Sequence, residues 1–446
     1  VSKRATTVYL ANTVYHMLPK SLCQLCSLLP GQDRLTFSVI LEITAMGEVI
    51  NHRFTRSIIN SSLQMSYQQA QKIIERPNFD WSEMDLPLPK NDFSLSEICR
   101  AVTDLYGISK YLRSKRFEGG ALSIDQPKIQ IILDEETKLP ISYCLEERQA
   151  SNELIEEFML LANMTVARHL YKKFPKTALL RHHDPPKLST LTKLLHPLRN
   201  YGVHLDTKSA GELRESMTKY DEIGDGGSEE EFVAHCRMMV INTLCAQAMV
   251  RANYVCSGTF RKKAQLRHYA LNVPFYTHFT SPIRRYSDCI VHRLLASSID
   301  ENISLPPDWS TDLCSSLAKH CNKMKDSAKN AQEKSIEIYF THLLAHNGPV
   351  KCPAIVMNVR HHSLDVILGK LGLTLQVDLM DIQKYASLEY SNEASVQTIK
   401  VTWKETEITQ VINVFTIVNL RIRKHPKFYY MQASLMPPKE TNEVRE

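Results

Sequence analysis

Several absences limit what this sequence can be. No uncharged apolar run reaches the roughly 18 residues of a membrane-spanning helix, so we expect no membrane crossing. The first residues, VSKRATTVYL, contain no apolar core of a secretory signal. The chain does not begin with methionine, which indicates that it starts partway through a longer protein or has been processed. No internal repeat is present.

Cysteine is present, but without a regular framework. The 11 cysteines are an odd number and are scattered, which predicts free thiols in a reducing compartment such as the cytoplasm. Cys23 and Cys26 form a lone C-x-x-C pair in a leucine-rich stretch. Because a zinc site needs further ligands at suitable spacing, we favour a structural role in the core for this pair over a metal site.

The composition is that of an ordinary globular protein with a mildly basic charge. With 43% hydrophobic and 23% charged residues over 446 positions, the chain can bury a large core in several domains. The formal net charge is +6. This charge is compatible with a polyanionic partner, but it is too small to establish one.

Hydrophobic periodicity predicts an α+β fold. We expect strands at 34–43 and 48–59, a strand pair within 128–146, and helices at 66–76, 94–114, 152–174, 187–200, 208–220, 232–252 and 310–346. Loops are expected at 77–92, which is rich in proline and aspartate, and at 222–231, which is acidic and glycine-rich. The helix at 152–174 is predicted to bury one apolar face that includes Leu154, Ile155 and Val166.

Composition changes at Asn347-Gly348-Pro349. Short β-rich runs with turn signals continue to about residue 435, which predicts a small β-barrel. We therefore divide the chain into a first domain over 1–346, a barrel over 347–436 and a solvated tail over 437–446.

The segment HYALNVPFYTHFTSPIRRYSDCIVHRLL, residues 268–295, is the most informative one. It predicts an aromatic strand directly before a helix, with Ser281 as N-cap and Pro282 in the first helical position. Arg284 and Arg285 would lie at the positive end of the helix dipole, where a bound phosphate would explain them. Alternatively, Asp288 pairs with one of these arginines on the surface. The helix would bury an apolar stripe formed by Ile283, Ile290, Val291, Leu294 and Leu295.

This segment resembles the signature of the RNase II family, the RNB-type exoribonucleases, through TSPIRRYSD and the following HRLL. The resemblance extends to TTVYLANTVYHMLPKSLCQLCSLLPGQDRLTFSV, GGALSIDQPK, NELIEEFMLLANMTVARHL and ALLRHHDPP. Within the family, the chain is most similar to the eukaryotic cytoplasmic, exosome-independent Dis-three-like branch that degrades uridylated RNA. The barrel over 347–436 resembles the terminal OB-fold RNA-binding domain of the family, of the ribosomal-protein-S-one type.

The resemblance implies a function for the whole protein. It implies processive 3′-to-5′ hydrolysis of single-stranded RNA to nucleoside 5′-monophosphates, with Mg²⁺ or Mn²⁺ as cofactor. Single-stranded RNA would be the partner of a monomer that acts without the exosome. The alternative is a non-catalytic RNA-binding pseudonuclease, and a scaffold that binds no RNA is a further rival.

The resemblance also implies roles for individual residues. Arg284 matches the family arginine at the cleaved phosphate, and it is our candidate catalytic residue. Arg285 would support the structure or contact a backbone phosphate, and Tyr286 would contact the RNA. Tyr9 matches a tyrosine that orders the last nucleotide. Glu156 and Glu333 match glutamates near the RNA end, whereas Ile124 stands where many members have a stacking aromatic residue.

Each of these roles has a simpler alternative. Tyr9 could be a strand tyrosine half buried in the core, and Glu156 could lie on a solvated helix face, as we expect of Glu157. Basic and aromatic residues around the signature suit a single-stranded nucleic acid channel or a solvated loop at 259–267. They are Arg251, Arg261, Lys262, Lys263, Arg267 and His268, interleaved with Tyr254, Tyr269, Phe275 and Tyr276. Metal binding by His182 and His183, beside Arg181, is disfavoured because no further ligands accompany them.

The family builds its metal site from clustered aspartates in a D-x-D-D-like run upstream of the tyrosine that Tyr9 matches. Only eight residues precede Tyr9 here. The remaining aspartates are isolated or lie in the acidic loop, so we predict no metal ligands in this chain and expect a nuclease lacking its cleavage centre. They include Asp33, Asp125, Asp184, Asp206, Asp288, Asp221 and Asp225.

Overall fold

The structure is a computed structural model, and it describes residues 1–76, 86–124, 127–146, 148–220, 229–369, 371–393 and 396–438. Parts of the predicted loops at 77–92 and 222–231, and most of the predicted tail, lie outside these ranges. Within the described residues, no helix combines the length and the apolar character that a membrane crossing requires.

The predicted helices are confirmed, although several ends shift and a short first helix was not predicted. Ser66 and Ser94 begin two of them with capping boxes, in which serine and a residue three positions later satisfy each other's backbone N–H groups. The last acidic residues of the predicted loop at 222–231 belong to a helix instead. The α-helices are α1 (Lys20–Cys26), α2 (Tyr67–Glu75), α3 (Leu95–Glu118), α4 (Ala150–Lys173), α5 (Leu188–Leu195), α6 (Ala210–Thr218), α7 (Glu229–Ala248), α8 (Tyr286–Ile299) and α9 (Thr311–Asn347).

Strands of the first domain pair two by two. The hairpins β1-β2, β3-β4 and β5-β6 join neighbours in sequence, whereas β7 pairs with β8 across three intervening helices. Gly47 has a φ of +73°, which permits the predicted turn of the second hairpin. These strands are β1 (Val8–Tyr9), β2 (Val14–Tyr15), β3 (Asp33–Ile43), β4 (Val49–Asn60), β5 (Ile129–Leu133), β6 (Pro140–Leu145), β7 (Leu179–His182) and β8 (Asn253–Cys256).

The remaining strands form the predicted small barrel. A five-stranded antiparallel sheet has the order β11-β10-β9-β15-β16, and β12-β13-β14 form a second sheet. The edge strands β11 and β16 contact each other, and both sheets enclose one apolar cluster, consistent with an OB-fold. The strands are β9 (Val350–Arg360), β10 (Ser363–Leu368), β11 (Thr374–Asp378), β12 (Ala386–Glu393), β13 (Val396–Trp403), β14 (Thr409–Ile412), β15 (Ile417–Lys424) and β16 (Met431–Leu435).

The apolar cluster beneath the signature segment joins α4, α8 and β7. Val166 and Leu170 of α4 pack there with Leu294 of α8 and Leu179 of β7, all of them fully buried. The predicted apolar stripe of α8 is confirmed from Ile290 onward, whereas residue 283 lies in the turn before the helix. This packing fixes the position of α8 and of the turn that precedes it.

Three local predictions are wrong. No strand forms at 268–280, because Phe275, Tyr276, Thr277 and Phe279 are all buried and therefore do not alternate between two faces. Helix α1 contributes no buried residue, so its cysteine pair is not part of the core. The buried face of α4 also differs from the prediction, since Ile155 is 51% exposed.

Phe340 offers a test of how α9 is held between the two domains. Its side chain is 1% exposed in the barrel cluster and makes an edge contact with Tyr143 of β6, with ring centroids 5.2 Å apart. We predict that Phe340→Ala lowers the free energy of unfolding by about 3–5 kcal/mol, because it leaves a cavity. Chemical denaturation measures this change. Ile338→Ala on the same helix, where the side chain is 48% exposed, is the control. Equal losses in both variants would contradict the packing.

Candidate functional site

A buried ion pair positions the start of α8. Asp288 is fully buried, and its carboxylate accepts hydrogen bonds from Nε and Nη2 of Arg285, both at 2.8 Å. The Ser281 backbone N–H and the Ser287 hydroxyl donate to the same carboxylate at 2.7 and 3.2 Å. Four donors thus compensate a charge that would otherwise be costly to bury.

This arrangement corrects the predicted helix start. Helix α8 begins at Tyr286 with Arg285 as its N-cap residue, and residues 282–284 form a turn before it. The Asp288 carboxylate binds both the Ser281 N–H and the Arg285 side chain, so the chain folds back over the first turn instead of entering the helix at residue 282. The predicted surface pair of Asp288 with an arginine is therefore wrong in its location, because the pair is internal.

The turn also binds the beginning of the chain. The Arg284 carbonyl accepts the Thr7 backbone N–H at 3.0 Å, and the Tyr286 N–H donates to the Ala5 carbonyl at 2.9 Å. Thr6 and Arg285 form an isolated antiparallel bridge. Residues 5–7 and 284–286, which are more than 275 residues apart in sequence, therefore lie side by side. Strand β1, which contains Tyr9, follows directly after this contact.

Arg284 presents its side chain to solvent. The residue is exposed, and its guanidinium has no hydrogen-bond or ion-pair partner among the described residues. The surroundings are positive: burial is the largest cause that lowers the pKa of His278 well below its ordinary value, and Arg181, Arg285 and Arg284 lower it further. An exposed cation in a positive environment, held by a fixed backbone, is suited to bind an anion.

Arg181 is a member of this cluster that sequence reasoning missed. It lies on β7 with its guanidinium carbon 5.2 Å from the centre of the Tyr254 ring, and Nη1 is buried without a hydrogen-bond partner among the described residues. The Tyr254 hydroxyl in turn contacts Nδ1 of His278 at 2.7 Å. The available signal for Arg181 was a charged residue between the buried residues Leu180 and His182. Only the neighbouring histidines were considered, as possible metal ligands.

Tyr9 and Glu333 are brought to the same side of the molecule. Tyr9 is 41% exposed and belongs to none of the apolar clusters of the described residues, so the alternative of a core tyrosine is wrong. Just after it, the Ala11 backbone N–H donates to the Ser335 hydroxyl of α9 at 3.0 Å. Glu333 lies two residues earlier on α9, exposed, with its carboxylate 3.5 Å from the Lys329 amine.

Glu157, and not Glu156, is the internal glutamate of this pair. Glu157, expected on a solvated face, is 3% exposed, and its carboxylate accepts bonds from Arg116, including one of 3.1 Å from Nε. Glu156 is partly exposed and pairs with Arg148. Arginines of α3 face this side of α4, which explains why the second glutamate of the pair is the internal one. Glu156 is therefore partly accessible at the surface, where its carboxylate is already paired with Arg148.

Two further predicted residues pack into the interior. Tyr286, expected to contact RNA, lies partly buried against the apolar cluster of α4 and α8. Ile124 packs against the cluster formed around α5, α6 and α7. Isoleucine at this position therefore acts as a packing residue, which is consistent with its inability to stack on a base.

The histidine pair has structural partners. His182 contacts the Arg267 carbonyl with Nδ1 at 2.9 Å and an Asp184 oxygen with Nε2 at 2.8 Å. His183 contacts the Val250 carbonyl with Nε2 at 2.6 Å and packs against the His268 ring. Burial and the nearby positive groups lower the pKa of His268 to about 2. These rings therefore bind backbone and each other.

The basic and aromatic residues around the signature do not form one continuous strip. Tyr254, Tyr276 and His268 are buried, whereas Arg261 and Lys262 are exposed. The Lys263 amine lies over the rings of Tyr171 and Phe275, 5.9 and 5.3 Å from their centres, and Leu266 is buried, so the segment 259–267 is more than a solvated loop. Arg251 pairs with Asp326 at 3.5 Å.

The carboxylates near the site do not fit a metal ion. Across the described ranges, no three His, Cys, Asp or Glu side chains are grouped so that they could hold one. Asp288, which lies beside Arg284, is fully used by Arg285 and its other donors. Asp125, Asp221 and Asp225 lie outside the described residues. The chemistry that the exposed Arg284 guanidinium supports is the binding and orientation of an anion.

Family models match both domains. The model described as "RNB domain" matches residues 1–301, and the one described as "DIS3-like exonuclease 2 C terminal" matches residues 348–431. The chain is 39% identical over 428 residues to a DIS3-like exonuclease 2 of Xenopus tropicalis, covering 95% of this chain and 50% of that protein. The chain thus spans about half the length of this curated relative.

Two other comparisons bear on fold and activity. An Arabidopsis thaliana protein named "Inactive exonuclease DIS3L2" is 33% identical over 416 residues, covering 84% of this chain and 39% of that protein. The structure of Mycoplasma genitalium RNase R in complex with ribose methylated single-stranded RNA superposes with a TM-score of 0.78 and 18% identity, covering 98% of this chain and 63% of that chain. At this identity, the structural similarity establishes the fold alone.

The buried ion pair can be tested against its exposed neighbour. We predict that Asp288→Ala lowers the free energy of unfolding by about 3–5 kcal/mol, because Arg285 would remain buried without its partner. Arg284→Ala, the control, should change it by about 0.5 kcal/mol or less, because that side chain is exposed. Urea denaturation of both variants measures the difference. If Asp288→Ala is as stable as Arg284→Ala, the pair does not hold the turn.

Buried histidine predicts sensitivity to acid. The pKa of His268 is lowered in the fold, so the unfolded chain binds more protons than the folded chain below about pH 6.5. The free energy of unfolding therefore keeps its full value above this pH and decreases as the pH falls. For this single ring the decrease is about 2 kcal/mol at pH 5. His268→Gln should make the dependence measured by denaturation between pH 7.5 and 5 less steep, while other buried histidines such as His278 and His292 continue to contribute. His204→Gln, at an exposed position, should leave the slope of the wild type unchanged.

Proposed function

Because this chain belongs to the RNB-domain family, we propose that it functions in the 3′-to-5′ exonucleolytic hydrolysis of single-stranded RNA to nucleoside 5′-monophosphates. The observation that carries the proposal is the exposed Arg284 guanidinium, held on a turn that the buried Arg285–Asp288 pair fixes. The names of the relatives and the RNA-bound RNase R structure support the same substrate class.

Arg284 contacts the phosphate at the bond to be cleaved. Its backbone is bound on one side by Thr7 and on the other by the turn from Ser281, so the side chain starts from a fixed point. A guanidinium offers paired N–H donors that match two phosphate oxygens. Charge that develops on these oxygens during the reaction is stabilised by a group already in place, which is the largest single contribution in many enzymes.

The exposed Tyr9 ring orients the terminal nucleotide next to this arginine. A ring at this position stacks on a base or ribose without demanding a particular sequence. Glu333 is exposed on α9, and Glu156 is partly exposed on α4, where it pairs with Arg148; both carboxylates accept hydrogen bonds from ribose hydroxyls. Such contacts favour RNA over DNA.

The family resemblance implies a divalent metal ion, Mg²⁺ or Mn²⁺, as cofactor. The described residues supply no ligand set for it, and Asp288 is committed to Arg285. No step of the reaction is therefore assigned to a metal held by this chain. Activity in the cytoplasm on 3′-uridylated RNA, as a monomer and without the exosome, belongs to the same proposal and rests on the similarity to DIS3-like exonuclease 2 proteins.

A second candidate function is the binding of single-stranded RNA without cleavage. The relative named as an inactive exonuclease supports it, because it is 33% identical to this chain over 416 residues. The arginine, the exposed tyrosine and the barrel would serve a binding protein equally well. The two functions differ only in whether bound RNA is shortened.

A digestion experiment separates the candidates. With Mg²⁺ or Mn²⁺ and 5′-labelled single-stranded RNA, a nuclease shortens the strand stepwise from its 3′ end. In a longer chain that carries acidic metal ligands upstream of Tyr9, Arg284→Ala should slow this by about 10²–10³-fold with little loss of affinity. Arg53→Ala, at an exposed position on β4, is the control. Undiminished turnover in Arg284→Ala would refute the role of this residue.

The same assay identifies the alternatives. RNA that is retained but never shortened supports the binding protein. A true RNA contact also weakens as salt rises, because phosphate binding releases counterions. Retention that stays flat with salt, or no retention at all, would point to a scaffold and would contradict both candidate functions.

A further inference from the structure

Acidic residues are missing from two long stretches of the chain. Residues 158–183 and 232–287 contain 13 lysines and arginines and no aspartate or glutamate, although the whole chain has 48 acidic residues. Strands β7 and β8 lie within these stretches and pair with each other, so the fold places the two stretches side by side. Charges segregated in this way indicate a surface on which one sign dominates.

Two cationic segments of these stretches meet at one surface. The Lys263 amine lies 5.9 Å from the centre of the Tyr171 ring. The Thr311 hydroxyl donates to the Lys176 carbonyl at 3.2 Å, and Gly258 lies against the same carbonyl. The C-terminal end of α4 and the loop after β8 are therefore neighbours. We call their six cationic residues the basic face: Lys172, Lys173, Lys176, Arg261, Lys262 and Lys263.

The charges of the basic face are not neutralised within the described part of the chain. All six residues are exposed, and none forms an ion pair with an acid there. The dipole of α4 favours the two lysines of its last turn, but this effect does not extend to Arg261 and Lys262. Like charges gathered at one surface repel each other, so a polyanionic partner would stabilise them.

The basic face lies away from the candidate site. Lys176 is bound at Thr311, the first residue of α9, whereas Ala11, just after the strand of Tyr9, is bound at Ser335 of the same helix. At roughly 1.5 Å per residue, Thr311 and Ser335 are about 36 Å apart along α9. A nucleotide held at Tyr9 therefore does not reach this surface.

The basic face lacks the features of a contact with single-stranded RNA. Its aromatic neighbours, Tyr171, Phe260 and Phe275, are at most partly exposed. The Lys263 amine covers two of these rings, and Phe260 packs on His182, so none of the three offers an open face for stacking. Five of the six cations are lysines, which lack the planar fork with which arginine matches a phosphate.

We propose that the basic face docks an acidic segment of a partner protein. Carboxylates along a flexible chain reach separate lysine amines, and this charge complementarity sets the choice of partner and the rate of encounter. A membrane fits less well, because no large apolar side chain is exposed for insertion within residues 171–177 or 257–267. The inference goes beyond the proposed function, since it assigns a second surface that acts independently of RNA.

The test measures the affinity of the whole chain for a fluorescein-labelled oligoglutamate peptide. The wild type should bind the peptide, and its affinity should fall as salt rises, because exposed charges are screened. Arg261→Glu combined with Lys262→Glu replaces two attractions by two repulsions. This variant should bind the peptide on the order of 10-fold more weakly.

Two further variants make the result specific. Lys173→Glu combined with Lys176→Glu changes the other segment and should weaken peptide binding to a similar extent, because both segments form one face. Lys351→Glu combined with Lys400→Glu, at exposed positions on β9 and β13, reverses the same amount of charge on the barrel. This control should match the wild type. All substituted side chains are exposed, so the variants are expected to fold.

Binding of a labelled oligouridylate to the same variants, without divalent ions, separates the inference from the proposed function. If reversal at Arg261 and Lys262 weakens RNA binding as much as peptide binding, the face is an RNA contact and the inference is wrong. A wild type that does not bind the peptide, or a barrel control that loses as much affinity, would overturn it too. A wild type that binds the peptide at this face but binds no RNA would support the inference and contradict the proposed function.

Discussion

The candidate site depends on one buried carboxylate. Asp288 receives Arg285 and the backbone of Ser281, so it closes the turn before α8 in a single conformation. A buried ion pair of this kind adds less to stability than an apolar pair would, but breaking it is expensive, and it specifies one geometry. Within this turn, the Arg284 carbonyl accepts a hydrogen bond from the Thr7 backbone N–H. Asp288, which is fully buried, therefore fixes the relative position of Arg284 and β1.

Helix α9 connects the segment that carries Tyr9 to the barrel. Its Ser335 binds the Ala11 backbone N–H just after β1, its Phe340 packs into the barrel cluster, and its His342 contacts Tyr429 in the loop between β15 and β16. These three contacts lie within little more than two helical turns, and a helix bends little over such a length. The first domain and the barrel are therefore aligned along a rigid element.

Periodic segments of the sequence were sufficient to predict most elements of the fold. The hairpin of β3 and β4, the long helices and the β-rich barrel follow from hydrophobic spacing and turn residues, because their burial repeats with a regular period. The segment 268–280 could not be predicted, since its consecutive buried rings follow no period. The start of α8 was misplaced because Ser281 and Pro282 fit a local capping rule. A contact with Asp288, seven residues away from Ser281, overrides that rule. Glu156 and Glu157 could not be told apart, because the deciding arginine, Arg116, lies on another helix.

The electrostatics of the site make most sense with an anion present. Arg181, Arg284 and Arg285 converge near His278, and within the described residues Asp288 is the carboxylate in their immediate company, already shared with Arg285. Like charges raise the free energy of the folded state, and Arg181 also leaves a buried N–H group unsatisfied. A fold selected for stability alone would place a second acid or an apolar residue here. A phosphate bound at Arg284, as proposed above, would lower the repulsion within this cluster.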